Sequence, residues 1–280
     1  MVFLTPDEAA ALIERMGVAV RAGTSIELDR TPHGRECGFI SDASFFALFA
    51  DGDVRACDVS DYEGAELVFD LAGELPRATI GAFDFIYNGS VLDNVFAPAR
   101  CMSNVSRMLK SGGVCFSYEG MAHSGPAYLK FGPEWFFDYY AVNDFADAQL
   151  YCCAFNHIHR SAWAAYQWDA FTIDGGSRFS SPMPVPAEAV VVAIAEKGEA
   201  STVDRLPLQN LYRPDHGPYQ AAFRRFHGSP RRNAIASSIR PPAVSRPTLW
   251  QRLTRNLPSR TVAGYVLIGT LGEENGAQAF

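Results

Sequence analysis

Apolar and polar positions change rhythm along this chain. Over "TPDEAAALIERMG" (5–17) apolar residues recur at helical spacing. Thr5 is placed to cap, Pro6 stands in the first turn, Glu8 completes a capping box, and Gly17 is the stop. "GTSIELD" predicts a short strand ending at Asp29, "RTPHGREC" a loop, and "DASFFALFA" a helix capped by Asp42. Short apolar runs then alternate with helical segments. "VRACDVS" is a strand ending at Asp58, "YEGAELVFDL" leads into one ending at Asp70, and "FDFIYN" is the next. "APARCMSNVSRMLKSGG" reads as a helix with apolar Met102, Val105, Met108 and Leu109, closed by Gly112 and Gly113; "VCFSYEG" is the strand after it. Such alternation indicates α/β units around a parallel sheet.

The second half has a different pattern. "PEWFFDYYAVNDF" predicts an aromatic helix after Pro133, whose rings pack in the core or partly line an acceptor pocket. "AQLYCCAFN" and "AEAVVVAIAEKG" are strands, and the stretch between them, Trp163 to Pro186, reads as loop, so the two strands can pair antiparallel. From Ser201 prolines and arginines accumulate. "GSPRRNAIASSIRPPAVSRP" reads as irregular and "TLWQRLTRNL" as one amphipathic helix. The expected organisation is an α/β domain over 1–200 and a basic, Pro/Arg-rich extension over 201–280, partly packed on it.

Charge sharpens that division. Between Arg205 and Arg260 there are eleven arginines, no lysine and one acid, Asp215, a balance of +10 within a chain of net charge −7, so the remainder carries −17. Arginine without lysine suits bidentate pairing with carboxylates or phosphates. An anionic partner of the extension is expected: an acidic polysaccharide, a membrane surface, nucleic acid, or the protein's own acidic body. No apolar run of eighteen residues predicts a membrane span. "MVFLTPDEAA" has no basic segment of a signal peptide, and the six cysteines form no C-x-x-C pair, which together fit buried thiols in a reducing cytoplasm.

Candidate chemistry lies at strand ends, where open parallel sheets bind ligands. Asp29, Asp58, Asp70 and Asn88-Gly89-Ser90 all stand there. Acids at such positions can hold ribose hydroxyls or an adenine edge; each taken singly can equally cap a following helix. The order "VRACDVSDYEGAELVFDLAGELP", "FDFIYNGSVLDNVF", "SNVSRMLKSGGVCFSYEG" resembles the centre of class I S-adenosylmethionine-dependent methyltransferases, and the two late strands resemble that family's closing pair, over residues 20–200. The resemblance implies a Rossmann-like methyltransferase fold: a mostly parallel seven-stranded sheet with a closing antiparallel strand and helices on both faces. It implies S-adenosylmethionine as cofactor, with Asp58 at the ribose, Asp70 and Leu71 at the adenine, Asn88, Gly89 and Ser90 by the methionine part and methyl group, and Asp29, Thr31 and Val59 also among the cofactor-binding residues. Asp29 and Thr31 stand where the family's glycine-rich first loop would be, and Gly34 is the one glycine there. Where the family often has Glu-His after the strand, this chain has Asp93-Asn94.

Methyl transfer is an in-line displacement that depends mainly on alignment, with a base needed for a hydroxyl acceptor. The base candidates are Asp93, Glu119 and His123. Asn94, Tyr118 and Tyr128 are candidate substrate-binding residues, and no metal site is expected. The expected function is methyl transfer to a small-molecule or carbohydrate acceptor, at oxygen, by a possible homo-oligomer. The alternative is a non-catalytic protein of the same fold serving as a binding or assembly subunit.

Overall fold

Thr5 and Glu8 form the expected capping box. The Thr5 amide and hydroxyl donate to Glu8 Oε2, at 2.8 and 2.9 Å, and the Glu8 amide donates back to Thr5 Oγ1. They open helix α1 (Pro6–Arg15), and Gly17 follows it in the left-handed region at φ +73°. The computed structural model describes residues 4–15, 17–61, 63–122, 127–155, 163–170, 188–209, 217–238, 261–262 and 265–271. They divide into two units, with the boundary between Pro76 and Arg77.

In the first unit, α1 is followed by α2 (Pro32–Cys37), α3 (Asp42–Ala47) and two short strands, β1 (Cys57–Asp58) and β2 (Leu67–Val68), paired in parallel. Its core gathers Ala9, Ile13, Ile40 and Leu48, with Leu4, Val20 and Phe45 against them. Three local expectations change here. "GTSIELD" makes a single bridge, Leu28 to Ile40, rather than a strand. "RTPHGREC" is a helix, because the Thr31 hydroxyl caps it by accepting from the Gly34 amide. Ser41, not Asp42, caps α3, accepting from the Ser44 amide.

Gly34 is a glycine for steric reasons. A Cβ there would lie 2.4 Å from Asp29 Cβ and Oδ1. Gly34→Ala should therefore force Asp29 away from Thr31 and destabilise the first unit by about 1–3 kcal/mol. Hydrogen exchange over residues 29–41 is the check; unchanged protection would contradict this packing.

The second unit contains β3 (Phe83–Gly89), α4 (Pro98–Met108), β4 (Leu109–Ala122), α5 (Pro133–Val142), β5 (Asp147–Phe155), β6 (Trp163–Trp168), β7 (Glu188–Glu196), α6 (Gly217–His227), α7 (Pro230–Ser238), β8 (Thr261–Val262) and β9 (Tyr265–Leu271). The strands form one sheet in the order β3-β4-β7-β5-β6-β9-β8. Among the described residues β3–β4 is its one parallel pair, and every other neighbouring pair is antiparallel. The expected mostly parallel seven-stranded sheet is thus overturned: the large sheet is mixed and mainly antiparallel, and β1–β2 form a separate two-stranded sheet. Two placements account for this: β7 lies antiparallel between β4 and β5, and the connection from β5 to β6 is too short for a crossover. A parallel crossover needs a dozen or more residues, usually a helix. Helix α4 supplies one between β3 and β4, whereas residues 156–162 between β5 and β6 are too few. The apolar "WAAYQW", read as loop, is β6, and the expected antiparallel pairing of β5 with β7 is present.

Several contacts fix this sheet. Lys197, just beyond β7, donates from Nζ to the carbonyls of Ser106 and Leu109 at 2.9 and 2.8 Å, satisfying the C-terminal end of α4. Gly112 turns at φ +79° and its amide meets the Lys197 carbonyl. Gly113 lies so close to the backbone that a Cβ would be 3.0 Å from the Phe83 carbonyl oxygen. The aromatic residues of α5 are core: Phe136, Phe137, Tyr139 and Tyr140 are buried, and Phe137 meets Trp168, Tyr219 and Phe226 edge-on or tilted.

Residues after 201 supply α6 and α7 and, through β9, a partner for β6. "SPRRNAIASS" is helical rather than irregular, since Ser229 Oγ accepts from the Arg231 amide and Pro230 opens the first turn. "TLWQRLTRNL" lies outside the described residues. Arginines of this block pair with the unit's own groups. Arg205 meets Asp144 at 2.8 Å, Arg225 the Phe145 carbonyl at 2.9 Å, and Arg231 both Glu196 and Asp147. Arg232 binds Asp169 through two parallel bonds of 2.6 Å. Cys101, Cys115, Cys152 and Cys153 are buried, while Cys37 and Cys57 are exposed. Among the described residues no helix is long and apolar enough to cross a membrane.

Candidate functional site

The parallel register of β3 and β4 sets Asn88 beside Ser117 and Gly89 beside Tyr118. Side chains alternate across a strand, so Asn88, Ser117 and Glu119 share one face and Tyr118 takes the other. All three of the first set are buried, with Glu119 fully so. Asn88 Nδ2 donates to Glu119 Oε1 at 2.8 Å and to Ser117 Oγ at 3.3 Å. Beyond β3 the chain turns sharply. Ser90 sits in the left-handed region at φ +59°, uncommon for a residue with a Cβ. Its amide donates to the Tyr118 carbonyl at 2.7 Å.

Two carboxylates hold the turn. Glu119 Oε1 also accepts from the Leu92 amide and Oε2 from the Asp93 amide, both at 3.1 Å. Asp93, 1% exposed, accepts from the Ser90 hydroxyl at 2.9 Å, from Asn94 Nδ2 at 2.8 Å and, through Oδ2, from the Gly120 amide at 3.0 Å. Asn94 Nδ2 also donates to the Ser90 carbonyl. The Leu129 amide donates to the Asp93 carbonyl and the Phe131 amide to the Gly120 carbonyl, which brings residues 127–131 alongside. Burial pushes the Glu119 carboxyl up to about 8; the Leu92 amide opposes this, the Asp93 carboxylate adds to it, and the Asp93 amide and Asn88 also oppose it.

Of the residues singled out in the sequence, Asn88, Ser90, Asp93, Asn94 and Glu119 thus meet in one knot at the carboxyl ends of β3 and β4. Gly89 adjoins it, and the Tyr87 ring covers the space a Cβ would need there, at 2.7 Å. Tyr118 points to the opposite face, its ring stacked 6.2 Å from Trp163, and burial raises its hydroxyl to about 12. Tyr128 is exposed, 5.1 Å from the exposed Phe96 ring. His123 lies outside the described residues.

The first unit uses its candidates locally. Asp29 Oδ1 accepts from the Thr31 amide and hydroxyl at 2.7 and 2.6 Å, so both residues build the cap of α2 instead of an open loop. Asp58 ends β1 and accepts from the amide of exposed Val59. Exposed Asp70 follows β2 and accepts from the Ala72 amide at 2.8 Å in a tight turn, with half-buried Leu71 between them.

Sequence reading missed Ser117, Leu92, Gly120 and Phe96. For Ser117 a signal exists: in "CFSYEG" polar residues at 117 and 119 alternate with Tyr118, placing two polar groups on one face of a buried strand. Chemically, the knot holds acceptors inward. Asp93 and Glu119 spend their oxygens on backbone and neighbouring donors, so they shape the turn, whereas a general base needs reach to the proton it takes. The exception is Asn88 Oδ1, a buried acceptor that no described residue reaches with a hydrogen bond. Among the described residues no group of three or more His, Cys, Asp or Glu side chains is arranged to hold a metal ion. The chain matches no protein-family model and no curated protein.

Proposed function

We propose that the protein is an S-adenosylmethionine-dependent methyltransferase acting on a small-molecule or carbohydrate acceptor, at oxygen. The observation that supports this reading is the β3–α4–β4 unit. Its two parallel strands carry Asn88, Ser90 and Glu119 to one carboxyl edge, the kind of edge at which α/β sheets take ligands. Asn88 Oδ1, buried without a described donor, suits the ammonium of the methionine part. The assignment of Asp58 and Asp70 to the adenosine part rests on the sequence resemblance alone. When bound, S-adenosylmethionine supplies an activated methyl group. The chain's own residues orient it: Glu119 and Asp93 fix the Ser90–Asn94 turn, and Asn88 offers the acceptor.

Calorimetric titration with S-adenosylmethionine and S-adenosylhomocysteine tests the reading. Binding is expected, weakened about tenfold or more in Asn88→Ala and in Asp58→Ala, as the loss of a hydrogen bond to a charged or polar ligand group implies. A folded sample giving no heat at high micromolar ligand would sink the proposal. A non-catalytic binding protein is the second reading, favoured by the inward use of both carboxylates. Cofactor binding with no S-adenosylhomocysteine formed across a panel of hydroxyl acceptors would select it.

A further inference from the structure

We propose that Glu119 is a positioning residue whose protonation state sets which end of the Asn88 side-chain amide is turned away from it. The oxygen is turned away when Glu119 is ionised, and the nitrogen when it is protonated. This goes beyond methyl transfer; the ammonium contact of Asn88 Oδ1 proposed above then belongs to the ionised state of Glu119, so binding of S-adenosylmethionine is tested on the alkaline side of the Glu119 titration.

The reasoning is a count of donors and acceptors. An ionised carboxylate only accepts. Glu119 receives three donors: the amides of Leu92 and Asp93, and Asn88 Nδ2. That set satisfies the ionised form. A protonated Glu119 has a hydroxyl that must find an acceptor. The two backbone amides are donors by nature and cannot change sign. Among the described partners of Glu119, the Asn88 amide can: a half-turn about its last side-chain bond puts Oδ1 against the carboxyl. Ser117 follows either way, since its hydroxyl both donates and accepts, and it already touches Asn88 at 3.3 Å.

The end facing away from Glu119 lacks a described partner, so neither orientation is pinned from that side. With Oδ1 turned away, the position accepts from an amine or hydroxyl. With Nδ2 turned away, it donates to a carbonyl or carboxylate. Two other ionisable groups around Glu119 stay neutral through neutral pH. Burial raises the Cys115 thiol, on β4, to about 12, and it raises the Tyr140 hydroxyl, on α5, well above its usual value. Asp93 is the charged neighbour, held by the Ser90, Asn94 and Gly120 donors. The strand on the other side, β7, presents Val191 opposite Glu119. The titration of Glu119 to about 8 places the exchange in an accessible range.

The test is NMR on the full chain without ligand, with selectively labelled Asn and Glu. The Glu119 carboxyl carbon, assigned by its loss in Glu119→Gln, should titrate between pH 6 and 10. Cross-peaks between the Asn88 amide protons and the Leu92 amide proton should be strong at the alkaline end and fade at the acid end, with the same midpoint. If Glu119→Gln fails to fold, Glu119→Asp, which also removes the labelled Glu119 peak but keeps a carboxylate, serves for assignment, and the wild-type spectra then decide the matter. Asn88 cross-peaks unchanged across the Glu119 titration would overturn the proposal. So would a Glu119 carboxyl that does not titrate in this range.

Discussion

Asp169→Ala is expected to destabilise the second unit by about 3–5 kcal/mol, the cost of leaving one member of a buried ion pair alone. The Arg232 and Asp169 side chains are 16% and 8% exposed, and two parallel 2.6 Å bonds join them. Asp169 directly follows β6, and Arg232 is in the first turn of α7, so this pair ties a helix from the basic block to the sheet. Removing the carboxylate leaves a guanidinium that cannot lose its proton. The double variant Asp169→Leu/Arg232→Met should recover most of the loss, because two apolar side chains remove both charges together. Urea denaturation of the three proteins is the measurement. A single variant within about 0.5 kcal/mol of wild type would show that water reaches the pair.

Between about pH 5 and 8, Glu119 should make the fold less stable as pH rises. Its carboxyl goes from an ordinary 4.5 to about 8 in the folded chain. The folded state then binds the proton more tightly than the unfolded state does. The contribution is complete below the unfolded value and is lost progressively as pH rises to the folded one. At about 1.4 kcal/mol per pH unit, the loss approaches roughly 3–5 kcal/mol. Glu119→Gln removes the titration. Its amide cannot accept from both Leu92 and Asp93, so the variant starts lower, but its stability should be flatter across this window. Unfolding midpoints at pH 5, 6.5 and 8 give the comparison; parallel curves for the two proteins would mean that Glu119 ionises normally.

Much of the local structure was legible. The capping box at Thr5 and Glu8, the crossover helix from Pro98, and the polar ends of β3 and β4 follow from short-range chemistry in the sequence. What escaped has physical causes. "RTPHG" and "GSPRR" each hold a cap residue followed by proline, a helix start that the surrounding glycines disguised as loop. The sheet is less legible because apolar runs reveal strands but not their neighbours: nothing in the sequence places β7 between β4 and β5, and the apolar run of β6 reads as loop. The site was half legible. Residue types at strand ends point to Asn88, Asp93 and Glu119, but no sequence pattern shows that Glu119 is spent on the Leu92 and Asp93 amides and Asp93 on the Gly120 amide. That depends on a turn at Ser90 with φ +59°, a conformation usually left to glycine.

The position of β7 bears on how the molecule is made. This strand lies between β4 and β5, yet it follows both in the chain. During synthesis, β4 and β5 emerge with two bare edges facing a gap that residues 188–196 have yet to fill. Unpaired edges invite pairing with other chains. The nascent protein is therefore most exposed to misassembly in the interval before β7 appears. A translational pause or a chaperone acting in that interval would limit such pairing.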